Sequence, residues 1–267
     1  MAKQMYIGVG DKARKVKKIY TGVNGVARKV KKGYVGVNGV ARQFWSGATP
    51  LGDFAVGKTV KLNVNGTPTE FIIVHKGRPS SDYDTSCDGV WLLMKNIYIK
   101  RTWGSNNDYQ NSSVDKYLRE TLFPLFDTSV QKIIKKAKIP YWNGRSDTGV
   151  AAYGSDGLER QIFLLCGGEI MRNQEYEYKS SVLSYFDNTS TSRKSAYYNG
   201  TETNWWTRTP RLSDKSKTTQ ALCMQGNGGG GTYILVSSNS EGVRPCIIMP
   251  YETLVSDVLI ITGELQS

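Results

Sequence analysis

The chain has 267 residues, 39% of them hydrophobic and 22% charged, and a formal net charge of +12. That length fits one large domain with an appendage, or two small domains. No run reaches the roughly 20 apolar residues of a spanning helix, so membrane insertion is not expected. Four scattered cysteines (Cys87, Cys166, Cys223, Cys246), with no Cys-x-x-Cys pair, and one histidine, His75, make a poor zinc set. No metal, redox centre or cofactor is therefore expected. Cys166 and Cys246 sit in apolar runs and read as buried small hydrophobes. The opening Met-Ala-Lys-Gln-Met carries no apolar signal segment, which predicts synthesis in a cytoplasm without ordinary secretion.

Residues 6–45 hold one unit three times, with a period of 14 set by Tyr6, Tyr20 and Tyr34. The second copy reads Tyr20-Thr-Gly-Val-Asn-Gly-Val-Ala-Arg-Lys-Val. Asn24-Gly25 and Asn38-Gly39, each between valines, predict type I′ turns, because both central residues need positive φ. Gly10-Asp11 is an accepted turn in the first copy. Three small hairpins are thus predicted. A unit this short cannot bury a core alone, so it is expected to stack, pair or dock on something larger. Residues 1–45 contain eight Lys and three Arg against one Asp, a net +10 of the chain's +12. This basic arm fits contact with a polyanion or an acidic protein surface. It equally fits lysines that keep exposed strand edges from aggregating. No base-reading motif accompanies the charge, so nucleic acid is not expected as a partner.

The body follows a linker. The domain reading is an arm over 1–47, a linker over 48–55 and a ligand-binding domain over 56–267. A hairpin is predicted to turn at Asn65-Gly66, with His75 at its strand end. A buried strand should follow Asp88-Gly89, at Val90-Trp-Leu-Leu-Met. Ser112 should cap a helix that Pro124 ends, and Thr128–Ala137 reads as a second, amphipathic helix. Residues 141–160 read as a loop and Gln161–Cys166 as an apolar run. Residues 172–204 are rich in Tyr, Ser, Asn and Thr with little periodicity, the pattern of a functional loop region. Further short β segments and polar loops complete an α+β body with two short helices and irregular C-terminal loops.

Trp205-Trp206-Thr-Arg208-Thr-Pro210, followed by Gly242-Val-Arg244-Pro245, resembles the Trp-Trp-x-Arg-Ser-Pro … Gly-Val-Arg-Pro pattern of a bacterial and phage domain family. That family is similar to the formylglycine-generating-enzyme type of C-type lectin fold. Gly57-Lys-Thr-Val, Asp88-Gly-Val-Trp91, the Ser113–Phe123 helix, Lys138-Ile-Pro-Tyr141 and Ile162-Phe-Leu-Leu165 support the match less specifically. The arm is similar to short repeats at the N-termini of phage structural proteins. The resemblance implies a C-type-lectin-like body on a virion, used for receptor binding and host adhesion at a phage tail. It also implies kinship with variable proteins rewritten by diversity-generating retroelements.

The namesake oxidase of that fold needs a reactive cysteine pair; Cys223 and Cys246 lie far apart with no adjoining histidine. Glu169, Glu175, Glu177 and Asp187 are candidates for a glycosidase pair, yet their spacing singles out no two of them. The calcium motifs Glu-Pro-Asn and Trp-Asn-Asp are absent, so binding is expected to be calcium-independent. Tyr, Ser, Asn and Gly crowd the C-terminal loops, the side-chain mix of antibody paratopes. The candidate ligand-binding residues are Tyr197, Tyr198, Asn199, Trp206, Arg208, Arg211, Asp214, Gln225, Asn227, Tyr233, Ser238 and Asn239, with Ser240 beside them; plain loops are the alternative. Adjacent strand residues face opposite ways, so one of Trp205 and Trp206 should be core and the other exposed beside the site, with Arg208 on the face of Trp206. Arg244 reads as a structural arginine paired with a carboxylate or carbonyls. Gly228–Gly231 lack the Lys-Ser/Thr of a phosphate loop and read as a flexible hairpin tip. The expected function is non-enzymatic: a virion-attached protein whose loops bind a bacterial surface protein or glycan. Its arm would hold other virion proteins or build a homo-oligomer such as a trimer. A structural decoration protein is the alternative, and a surface-glycan hydrolase the third reading.

Overall fold

The computed structural model describes residues 6–9, 12–16, 19–30, 33–45, 47–171, 179–187 and 190–266. In the arm, three two-stranded antiparallel hairpins form: Tyr6–Val9 with Lys12–Lys15, Tyr20–Val23 with Val26–Lys29, and Gly33–Val37 with Val40–Trp45. Asn24 and Asn38 adopt φ of 52° and 51°, and Gly25 and Gly39 both 76°, as a type I′ turn requires. The Gly10-Asp11 turn lies outside the described residues. Tyr20, Val23, Val26, Tyr34, Val37 and Val40 are all exposed.

The body is strand-dominated with a few short helices, consistent with a mostly-β or α+β fold. Its first sheet runs Ile162–Leu164, Pro245–Met249, Val90–Met94, Thr67–Lys76, Thr59–Val64, all antiparallel. Val90–Met94 is buried throughout, as the continuous apolar run predicts for an inner strand. Asn65-Gly66 makes the predicted turn, with φ of 50° and 71°. The second sheet runs Ile99–Lys100, Gly242–Val243, Trp205–Pro210, Gln220–Met224, Gly231–Leu235. Two segments pass from one sheet to the other, Met94 to Ile99 and Val243 to Pro245. Arg244 sits at that crossing: its Nε donates to the Met94 carbonyl at 2.9 Å, and its guanidinium lies 4.9 Å from the centre of the Trp205 ring. The predicted carbonyl is there, joined by a ring rather than a carboxylate. Burial pulls the Arg244 pKa down to about 10.

Three expectations need correction: the linker at 48–55, the length of the second helix and the loop at 141–160. The stretch 48–55 is not a free linker: Thr49–Pro50 pairs with Leu254 and Val255, and Leu51 is fully buried. The second helix covers only Thr128–Gln131. Beyond it the Gln161 side-chain amide donates to the carbonyls of Gln131 and Ile134, and Lys135 N–H reaches the Ile248 carbonyl, so the chain leaves the helix. Ala137–Ile139 then pairs with Leu158–Arg160 as a strand, and Tyr141–Asn143 pairs with Val150–Ala152, so the stretch 141–160 is not a plain loop but mostly hairpin. The first helix starts on its predicted cap, the Ser112 hydroxyl accepting from Asp115 N–H at 3.1 Å. The α-helical turn Ser113–Tyr117 widens into a π-type turn over Leu118–Leu122, so regular helix ends just before Pro124, as expected. That residue sits in a closing tight turn, Phe123–Leu125, at a position whose N–H is not needed. No described helix is long and apolar enough to cross a membrane.

Candidate functional site

Beneath the candidate loops lies a buried polar frame. Trp205 and Trp206 are both fully buried, because their strand is central to its sheet and both of its faces are covered. Their indole N–H groups donate to the Lys194 and Arg101 carbonyls at 3.1 and 2.8 Å. Arg208 is fully buried as well. It donates from Nη1 to Glu169 Oε2 at 2.7 Å, from Nη2 to Glu169 Oε1 at 2.6 Å, from Nη1 to Leu164 O at 2.7 Å and from Nε to Pro140 O at 3.0 Å. Glu169 also accepts from the Tyr83 hydroxyl at 3.0 Å and from Cys166 N–H at 2.9 Å. A pair satisfied this fully is structural, and removing one partner of such a pair costs about 3–5 kcal/mol. Trp206 and Arg208 are therefore corrected out of the ligand surface, and Glu169 offers no carboxylate to a substrate. Glu175 and Glu177 lie outside the described residues.

All four cysteines are buried and free. Burial first, and then the Glu169 charge, pushes the Cys87 and Cys166 thiols up to about 12, so neither is a ready nucleophile. His75 is half-buried on the first sheet, its Nδ1 2.9 Å from Ser184 Oγ and accepting from Ser184 N–H at 3.3 Å.

The remaining candidates collect at the two ends of the hairpin Gln220–Met224/Gly231–Leu235. At one end, Arg211 donates to Gln220 Oε1 and lies 5.0 Å from the Tyr233 ring centre. Asp214 is nearby in sequence, its acidity strengthened by the Ser216 hydroxyl, which donates to it at 2.6 Å. Fully buried Asn107 pins this end. Its Nδ2 donates to Ser146 Oγ, Lys217 O and Gln220 O, and its Oδ1 accepts from Ser146 N–H. Ser146 Oγ in turn donates to Lys215 O at 3.1 Å, and Lys215 lies 5.5 Å from the Trp142 ring centre. Ser238, Asn239 and Ser240 follow the edge strand at this same end.

At the other end stand Gln225 and Asn227, beside the short hairpin of Tyr197–Tyr198 with Thr201–Glu202, whose turn is Asn199-Gly200. Ala196 N–H donates to Gly226 O at 3.1 Å, and Lys100 lies 5.2 Å from the Tyr198 ring centre. The Gly228 tip is not loose: a Cβ there would overlap the Thr191 carbonyl, so the tip is packed onto backbone. The five residues of each hairpin strand separate the two ends by roughly 13 Å, so the surviving candidates make two patches rather than one.

A family model described as a domain of unknown function, DUF6273, matches residues 88–251. The chain belongs to that family. No curated protein and no solved structure matches the chain. The DUF6273 segment starts at the Asp88-Gly89 turn, ends just past the Gly242–Pro245 crossing and contains every candidate site residue; the arm lies outside it. Within the DUF6273 segment, Asn107, Trp142, Lys215, Glu202 and Asn204 belong to the two patches but were not singled out in the sequence. Trp142 alone carried a usable signal, an aromatic inside a polar Gly-rich loop.

Proposed function

We propose that the chain is a receptor-binding protein attached to a phage particle. Its arm holds the particle or neighbouring copies, and its C-terminal loops bind a bacterial surface ligand without calcium. In this reading the body is C-type-lectin-like, similar to the variable proteins of diversity-generating retroelements. The observation that carries the proposal is the Asn107 hub. One buried amide ties the 144–149 and 211–219 loops together from below while Arg211, Asp214, Lys215 and Tyr233 keep solvent access. Pre-ordered polar loops of this kind lose little entropy on binding, as a recognition surface needs and a slack connection does not.

The test is binding of the full-length chain to a panel of bacterial cells and to glycan and protein arrays. Saturable binding should weaken about tenfold or more in Arg211→Ala, Asp214→Ala or Tyr233→Ala. Equal binding in all three variants would remove these loops from the contact surface. Complete absence of binding, even with the chain multimerised, would favour a decoration protein. That second reading draws on the arm, whose second and third hairpins each expose a tyrosine and a pair of valines suited to assembly.

A further inference from the structure

The docked tip and the Tyr197–Glu202 hairpin surround an open depression of about 290 Å³, lined by Glu202, Asn204, Gln225, Gly226 and Asn227. That volume is at the small end of small-molecule sites, with room for one compact ligand unit. The lining holds one carboxylate and three primary amides, and no Lys or Arg. An amide presents N–H donors beside a carbonyl acceptor, and a carboxylate accepts only. Such a set complements neighbouring hydroxyl groups, each of which both donates and accepts. Internal bonds leave most of it available. Asn204 Oδ1 accepts from Gly226 N–H at 3.0 Å and Asn227 Oδ1 from Gly229 N–H at 2.9 Å, so both Nδ2 groups remain for a ligand. Tyr197, 41% exposed, pairs directly across from Glu202 and therefore shares its face. An exposed ring beside hydroxyl-binding amides supplies an apolar platform for the C–H face of a pyranose. The Glu202 charge and the lack of a lining cation disfavour anionic ligands. The walls are pre-formed: Ala196 N–H donates to Gly226 O, and Gly226 packs so closely on the Thr203 backbone that a Cβ there would overlap it.

We propose that this depression binds a single neutral sugar residue through Glu202, Asn204, Gln225 and Asn227, with the Tyr197 ring alongside. The inference rests on the ligand-binding reading above and names its ligand class at one patch. Saturation-transfer difference NMR of the full-length chain tests it, using methyl glycosides of glucose, galactose and N-acetylglucosamine beside glucuronate and glucose 6-phosphate. At least one neutral glycoside should bind, about tenfold more weakly in Gln225→Ala and Asn227→Ala and unchanged in Lys132→Ala, an exposed residue outside both patches. No neutral signal, a signal indifferent to the two tip variants, or equal binding of the charged sugars would overturn it. Cell binding that survives both tip variants but is lost in Arg211→Ala would sink the sugar site while sparing the receptor-binding reading.

Discussion

His75 is the chain's one histidine, so its titration is separable from everything else. Burial lowers its pKa from the ordinary 6.5, only partly opposed by the Glu169 charge. The hydrogen bonds agree, since Nδ1 accepts from Ser184 N–H and a protonated ring would present a donor there. Between the lowered folded value and 6.5 the unfolded chain binds more protons than the folded one. Stability is therefore fully present above 6.5, falls as pH drops through that window, and loses no more to this group below the folded value. Calorimetric melting on either side of pH 6.5 should show the slope in the native chain and a reduced slope in His75→Gln. Equal slopes would mean that the ring is solvated in the fold. The expectation that His75 ends a strand holds, because its apolar neighbours Phe71 to Val74 carried the signal. The surface placement of Trp206 and Arg208 failed at this same scale. Their burial is set by partners distant in sequence, Arg101 for one and Pro140, Leu164 and Glu169 for the other, and no local pattern announces those.

Elements were legible where their chemistry is local. The Asn-Gly turns, the Ser112 cap and the all-apolar Val90–Met94 strand follow from neighbours within a few residues. The Thr128–Ala137 pattern fitted a helix, but the Gln161 amide and the Ile248 carbonyl, both from other elements, end it early. The glycine tip was recognised as a hairpin end, and its docking was not, because the Thr191 contact is long-range. That docking makes a measurable contrast. Gly228 and Gly200 have φ of 77° and 80°, but only at Gly228 would a Cβ meet backbone, whereas Gly200 faces open space. Gly200→Ala should cost about 1 kcal/mol, the strain of the positive φ alone. Gly228→Ala should exceed it by a further 1–3 kcal/mol, roughly the penalty of overpacking. Urea denaturation of both variants decides the point, and equal costs would show that the tip can lift away from Thr191 without loss.

At the scale of the molecule, the arm and the body differ in how they meet water. The body seals its reactive groups inside and begins where Thr49–Pro50 joins the strand Thr253–Val255. The arm holds +10 of the charge and leaves apolar side chains exposed at repeated positions: Val23 and Val37 are each 39% exposed, Val26 and Val40 each 58%. A valine pair repeated at equal exposure suits a repeated partner surface, and two kinds of partner have opposite salt dependence. Arms that pair with arms must overcome repulsion between like charges, so added salt strengthens the oligomer by screening it. Arms that dock on an acidic partner are weakened by the same salt. For the purified chain we expect self-association. Sedimentation should show an oligomer, such as a trimer, that grows with ionic strength and disperses in Val26→Glu/Val40→Glu, while residues 48–267 stay monomeric throughout. A full-length chain that is monomeric at every ionic strength would mean that the exposed valines are covered by a different protein. The arm's positive charge would then direct the search to a partner with an acidic surface.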